Sequence, residues 1–235
     1  MRANAIVGHF SLRPLAFSLS QLGVTSGIRT SLQRLSQTWH AARQLQDFYR
    51  LLLCGTCYHA GISVVITLAA IYAQEAMKFT EIETMTLIFL VNIAAALGAF
   101  VFGYAQDRIG HKRALGITLV GWIVMTLLAA LATSRGLFWV AATLAGLCMG
   151  SSQSAGRAMI GVLAPAQRVG EFYGIWNMAV RLASIIGPVT YGAITWASAG
   201  NHRLAIFSTA AFFVAGLILL AAVDMKRGHE AALAY

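Results

Sequence analysis

The sequence predicts an all-α membrane protein with six transmembrane helices. Of its 235 residues, 58% are hydrophobic and 11% charged, and its mean hydropathy is +0.71. A soluble domain is about a quarter charged. Six stretches carry no charge at all, each close to the roughly 20 residues that cross a hydrocarbon core of about 30 Å. They are apolar all round, without the polar alternation of a strand barrel, and therefore read as helices. Disorder, collagen-like repeats, coiled coils and small disulfide scaffolds are excluded by the same composition. Length sets a ceiling, because twelve spans would consume about 240 residues before any loop.

Residues 1–50 form a basic segment holding Arg2, Arg13, Arg29, Arg34, Arg43 and Arg50 against Asp47 alone. Arg13 and Pro14 interrupt any signal-peptide core. From Ser31 to Arg50, the pattern Leu32, Leu35, Trp39, Leu45, Phe48, Tyr49 predicts an amphipathic basic helix. Two placements stand for it, on an anionic inner leaflet or as a solvated linker. The charge-free runs follow: Leu51–Gln74, Thr84–Gln106, Ala114–Ser134, Gly136–Gly156, Leu182–His202 and Leu204–Val223. The fifth span is expected to begin near Gly170, which places Asn177 and Arg181 at membrane depth. The chain thus divides into a basic segment (1–50), a six-helix bundle (51–223) and a cytoplasmic tail (224–235).

Seventeen Lys and Arg against eight Asp and Glu give a net charge of +9. With the amino terminus inside, thirteen of the basic residues fall in cytoplasmic segments: the six N-terminal arginines, Arg108, Lys112, Arg113, Arg157, Arg168, Lys226 and Arg227. Only Lys78, Arg135 and Arg203 fall outside. That asymmetry predicts both termini in the cytoplasm of a plasma or inner membrane. The charge is orientation, and no nucleic-acid partner is implied. Cys54 and Cys57 form a C-x-x-C beside His59, but two further zinc ligands are missing. No metal and no cofactor is expected.

Between the second and third runs lies Gly103-Tyr-Ala-Gln-Asp107-Arg108-Ile-Gly110-His-Lys112-Arg113. Gly103 removes a side chain where a neighbouring helix can approach. Asp107 can accept hydrogen bonds at a nearby helix start, and Arg108, Lys112 and Arg113 can pair with it. Gly110 permits a tight reversal. The segment resembles the signature loop of the major facilitator superfamily, G-x-x-x-D-R-x-G-x-K/R-K/R, with every fixed position filled. The segment Tyr58–Tyr72, Gly150-Ser-Ser-Gln153-Ser-Ala-Gly-Arg157, and Gly170-Glu-Phe-Tyr-Gly174 through Gly187-Pro188 resemble the C-terminal half of the vacuole-effluxer-like branch. The resemblance runs from about Ser31 to Asp224. Residues 1–27 do not resemble that branch, so the chain is expected to be a truncated product or to have a start of different origin.

The resemblance implies a 3+3 inverted-repeat half of a major facilitator fold, with three-helix bundles at Leu51–Ser134 and Gly136–Val223. It also implies a solute cavity lined by the first helix of each bundle, where Tyr58, His59, Ser152, Gln153 and Arg157 are the candidates. Polar groups at that depth face a partner or a water-filled path. Gln153 and Arg157 stand four apart on one face, as do Asn177 and Arg181. The alternatives for Gln153 and Arg157 are an interhelical hydrogen bond and snorkelling to the inner surface. The branch pattern Tyr-x-Asp-Gly reads Tyr58-His59-Ala60-Gly61 here, without the acid a proton symporter would use. Gly187 and Pro188 predict a helix kink.

The function these features predict is a secondary transporter, or half of one, moving a small organic solute such as an amino acid by alternating access. Its partners would be membrane lipid, the solute, and an N-terminal six-helix half or a second copy of the chain. The alternatives are a non-transporting structural or regulatory membrane protein, and an intramembrane serine protease built on Gly150-Ser-Ser152. The protease needs a base, and the sixth run has no histidine. The chain is not expected to be an enzyme.

Overall fold

A computed structural model describes Ser36 and residues 38–75 and 77–235; the predicted helix positions Leu32 and Leu35 lie outside these. Thr38–Tyr235 form one compact unit. All its regular elements are helical: residues 38–44, α1 (Gln46–Glu75), α2 (Glu81–Ile109), α3 (His111–Leu131), α4 (Arg135–Leu163), a 3₁₀ turn (Ala166–Arg168), α5 (Val169–Ala197), α6 (His202–Ala221) and α7 (Met225–Leu233). Five segments are long and apolar enough to cross a membrane: α1, α2, α3, α6, and α5 with its preceding turn. Helix α4 is equally long at 29 residues but is not among them, because Ser151–Ser154 and Arg157 interrupt its apolar run.

Local chemistry fixes the ends. Thr80 and Glu83 form a reciprocal capping box at the start of α2, a signature visible as T-x-x-E and overlooked in the sequence. Gly110, at φ +88°, ends α2 and starts α3 within one residue, a left-handed conformation that favours glycine. Ser134, Asn201 and Asp224 cap α4, α6 and α7 through side-chain oxygens.

The packing does not follow the sequence blocks. Helix α1 lies mainly against α5 and α6, whereas α4 lies mainly against α2 and α3; α3 and α6 join the two groups. Small residues set the closest seams. A Cβ on Gly98 or Gly150 would collide with the carbonyl of Leu147 or Ala95 across the α2–α4 seam, and one on Gly187 with the Ala60 carbonyl across α5–α1. Close backbone approach is how membrane helices gain dispersion energy where lipid is as apolar as leucine. Gly187 therefore serves a helix contact as well as neighbouring Pro188, and α5 runs unbroken through that proline. The core lies between α1, α3, α4 and α6, where Trp122 stacks on Phe213 at 5.0 Å.

The described part of the N-terminal amphipathic helix packs one face against the bundle. Ala41, Ala42, Leu45 and Phe48 are buried, and Phe48 meets Phe172 edge-on at 4.6 Å. The Thr38 hydroxyl donates to Glu171 (2.6 Å) and accepts from Arg168 (2.9 Å). Two alanines make this face narrow enough to seat on the start of α5.

Basic residues gather at both ends of the bundle with different partners. Arg50 donates to the Ala222 carbonyl (3.0 Å), and Lys112 to those of Ala221 (3.0 Å) and Val223 (2.6 Å). These are carbonyls at and just beyond the α6 C-terminus, where a helix attracts cations. At the opposite end Arg135 pairs with Glu83 (2.9 Å) and Arg203 donates to the Ala132 carbonyl (3.0 Å).

Candidate functional site

Three helices meet around a polar cleft of about 380 Å³. Helix α1 contributes His59, Ser63 and Thr67, spaced by four so that they share one face. Helix α4 contributes Gln153 and Arg157, and α5 contributes Trp176, Asn177 and Ser184. Of the residues the sequence singled out, four converge here: His59, Gln153, Arg157 and Asn177. The His59 ring meets Trp176 edge-on at 5.7 Å. No carboxylate lines the cleft among the described residues. The Arg157 guanidinium has no hydrogen bond or ion pair among them, and the Arg157 carbonyl accepts from the Tyr173 hydroxyl (2.8 Å).

Other candidates stand elsewhere. The Tyr58 side chain is fully buried, with its hydroxyl against Gly156 and without a hydrogen-bond partner among the described residues. Ser152 is buried too; its hydroxyl donates to the Cys148 carbonyl (2.7 Å) and accepts from the Trp122 indole (3.4 Å). Those are structural partners, and neither is a base. Arg181 is exposed and does not line the cleft with Asn177, although its carbonyl accepts from Ser184 (2.7 Å).

The signature loop departs from its expected pairings. Asp107 is exposed and makes no hydrogen bond or ion pair among the described residues. Arg108 turns instead to the Tyr104 hydroxyl, lying 4.6 Å from the centre of its ring. Lys112 is drawn to the end of α6 by unpaired carbonyls, and Arg113 is exposed. Gly103 has open space where a side chain would be, so among the described residues no helix occupies the approach it permits. Among the described residues no cluster of three His, Cys, Asp or Glu could hold a metal; Cys54, Cys57 and Cys148 are free thiols.

Sequence reasoning passed over Ser63, Thr67, Trp176 and Ser184. The available signal was the four-residue spacing His59–Ser63–Thr67, the same rule that singled out Gln153 with Arg157. Single hydroxyls in an apolar run are easily discounted, because most bond back to their own helix.

Comparison with known proteins gives this geometry its context. The family model described as vacuole effluxer Atg22 like matches residues 5–233, so the match extends through the first 27 residues, where the sequence by itself showed no resemblance. The chain is 28% identical over 200 residues to the uncharacterized MFS-type transporter YxiO of Bacillus subtilis, covering 85% of this chain and 46% of the relative. It is 26% identical over 216 residues to autophagy-related protein 22-1 of Penicillium rubens (85% and 36%). A Na⁺, Li⁺, K⁺/H⁺ antiporter of Planococcus maritimus is 31% identical over 163 residues (66% and 37%). The chain spans less than half the length of these relatives. The Bacillus and Planococcus relatives are transporters by name, not enzymes, and apolar helices and relatives together make this an integral membrane protein. The chain belongs to the vacuole effluxer Atg22-like family, a branch of the major facilitator superfamily.

Proposed function

We propose that the chain is one half of a secondary active transporter, moving a small organic solute by alternating access through the α1–α4–α5 cleft. The observation that carries this reading is the convergence of His59, Gln153, Arg157 and Asn177 from three helices on one cleft. Intramembrane polar groups are costly and mark solute paths. Amino acids are the solute class that the branch resemblance suggests.

The architecture proposed is six spans in a 3+3 inverted repeat, with α4 as the fourth span. Its support is the reciprocal packing: exchanging α1–α2–α3 for α4–α5–α6 maps each principal helix pair onto another, or onto itself. The proposed partner is an N-terminal six-helix half or a second copy. Helices α2 and α5 are the least buried of the candidate spans, Gly103 faces open space, and the exposed side chains of Asp107 and Arg181 have no partner among the described residues. Both termini are placed in the cytoplasm on the thirteen-to-three distribution of basic residues. The plasma or cytoplasmic membrane is the proposed site, since an anionic inner leaflet suits that charge.

Uptake of radiolabelled amino acids and organic acids by cells expressing the chain, with Gln153→Ala and Arg157→Gln beside the wild type, tests this. Flux falling at least about tenfold, the cost of roughly one charged hydrogen bond, with membrane insertion intact, supports the reading. Unchanged flux contradicts it.

A further inference from the structure

A second cavity adjoins the polar cleft and differs from it in chemistry. It encloses about 300 Å³ and is walled by Val65 and Ala69 of α1, Leu87 and Val91 of α2, and Ala145 and Met149 of α4. Three polar side chains also line it, and each makes a hydrogen bond within the protein, the Trp122 indole to the Ser152 hydroxyl (3.4 Å). The Asn92 amide donates to the Ile88 carbonyl (2.8 Å) and the Tyr72 hydroxyl to the Ala129 carbonyl (2.9 Å). The cavity therefore offers a ligand chiefly dispersion contacts.

The two spaces share a wall. Ile66 lines both, and on α4 the apolar wall at Met149 precedes Gln153 of the cleft by one helical turn, about 6 Å along the axis. A ligand with its head at Arg157 would reach Met149 across about 12 Å, two turns of α4. The cleft offers a cation without a facing carboxylate, so it matches an anionic head; an ammonium group would find no counter-charge among the described lining residues.

We infer that the apolar cavity is a second subsite of the solute site, receiving the hydrocarbon tail of an amphipathic monocarboxylate whose head is held by Arg157 and Gln153. The inference rests on the reading of the cleft as the solute pathway. Ile66 is the ridge over which head and tail divide, and α1 and α4 each supply both chemistries.

Binding of acetate, butanoate, hexanoate and octanoate to the full chain in lipid nanodiscs, followed by tryptophan fluorescence, tests it. The affinity should rise about fourfold per added methylene once the chain is long enough to pass Ile66, and Arg157→Gln should weaken every member of the series. Ala69→Leu with Ala142→Leu narrows the cavity and should collapse the octanoate-to-acetate ratio toward one. A ratio unchanged by that filling assigns the cavity to a lipid chain and overturns the inference. If the filled variant fails to fold, the wild type supplies the readout. Octanoate brominated at its terminal carbon should quench Trp122, which lines the cavity, and Trp122→Phe should remove that quenching; quenching insensitive to Trp122→Phe is contrary. Arg157-dependent binding without a chain-length gain overturns the tail subsite and leaves the cleft standing. Absence of Arg157-dependent binding by any of these acids overturns the head assignment, and loss of the amino-acid flux response as well brings down the cleft itself.

Discussion

The Ser63 hydroxyl donates to the Ser184 carbonyl at 3.2 Å, the carbonyl that Pro188 leaves without its helical donor. A proline in a helix interior removes the bond to the residue four before it, and in a membrane the freed carbonyl must find another donor. Helix α1 supplies one from the wall of the cleft. The proline on α5 and the serine on α1 therefore form one device, coupling two helices at the proposed solute path.

Ser63→Ala should destabilise the protein by about 0.5–1.5 kcal/mol, the net worth of one hydrogen bond. Pro188→Ala restores the backbone donor, so the double variant should recover most of that loss. Thermal unfolding of the four proteins in one detergent gives the coupling. Additive effects would show that the two residues act independently.

The α2–α4 seam should tolerate no side chain at Gly150. Gly150→Ala places a methyl group against the Ala95 carbonyl and should cost about 1–3 kcal/mol through overpacking. Gly174→Ala, with open space around it, should be neutral or gain up to about 1 kcal/mol from helix propensity. Melting temperatures of the two variants should move in opposite directions or differ clearly in size.

Much of this was legible in the chain. Charge-free runs located all six long helices; several starts moved by a few residues because Asp47, Glu81, Glu83 and Arg135 sit in first turns that hydropathy cannot register, and the fifth run begins well inside α5 because Glu171 and Arg181 lie within that helix. The signature loop was readable as a pattern, yet its partners were not. Asp107 is exposed and Gly103 faces open space among the described residues, and no periodicity reveals which loop side chains find a partner. The cleft was half legible. Gln153, Arg157 and Asn177 stood out as polar groups in apolar runs, whereas Ser63 and Trp176 acquire meaning only from the α1–α5 crossing. Tyr58 and Ser152 misled for the opposite reason, since a polar group within a span can equally turn into the core.

The tail helix α7 should be held by Asp47. Its carboxylate accepts two bonds from Arg227 (2.6 and 2.7 Å) and one from the Asp224 backbone (2.9 Å), and this raises the Arg227 guanidinium above its ordinary range. Asp47→Asn should release α7, seen as faster amide hydrogen exchange and proteolysis across residues 225–233. Arg227→Lys should release it partly, because an ammonium cannot form the bidentate pair. Unchanged exchange in Asp47→Asn would show that the packing of Gly228 on Leu163 suffices.

Asp107→Asn should slow transport several-fold while leaving membrane insertion intact, because its exposed carboxylate can engage a helix start on the proposed partner. Flux equal to the wild type would remove Asp107 from the gate.

The central claim is that the α1–α4–α5 cleft is a water-accessible solute path. The direct test is Gln153→Cys in a chain whose Cys54, Cys57 and Cys148 have been replaced by alanine, treated with a membrane-impermeant thiol reagent, with Ser152→Cys as its buried neighbour. Position 153 should label from water and position 152 should not. Protection of position 153 from the impermeant reagent under every condition, or equal labelling at both positions, would contradict it.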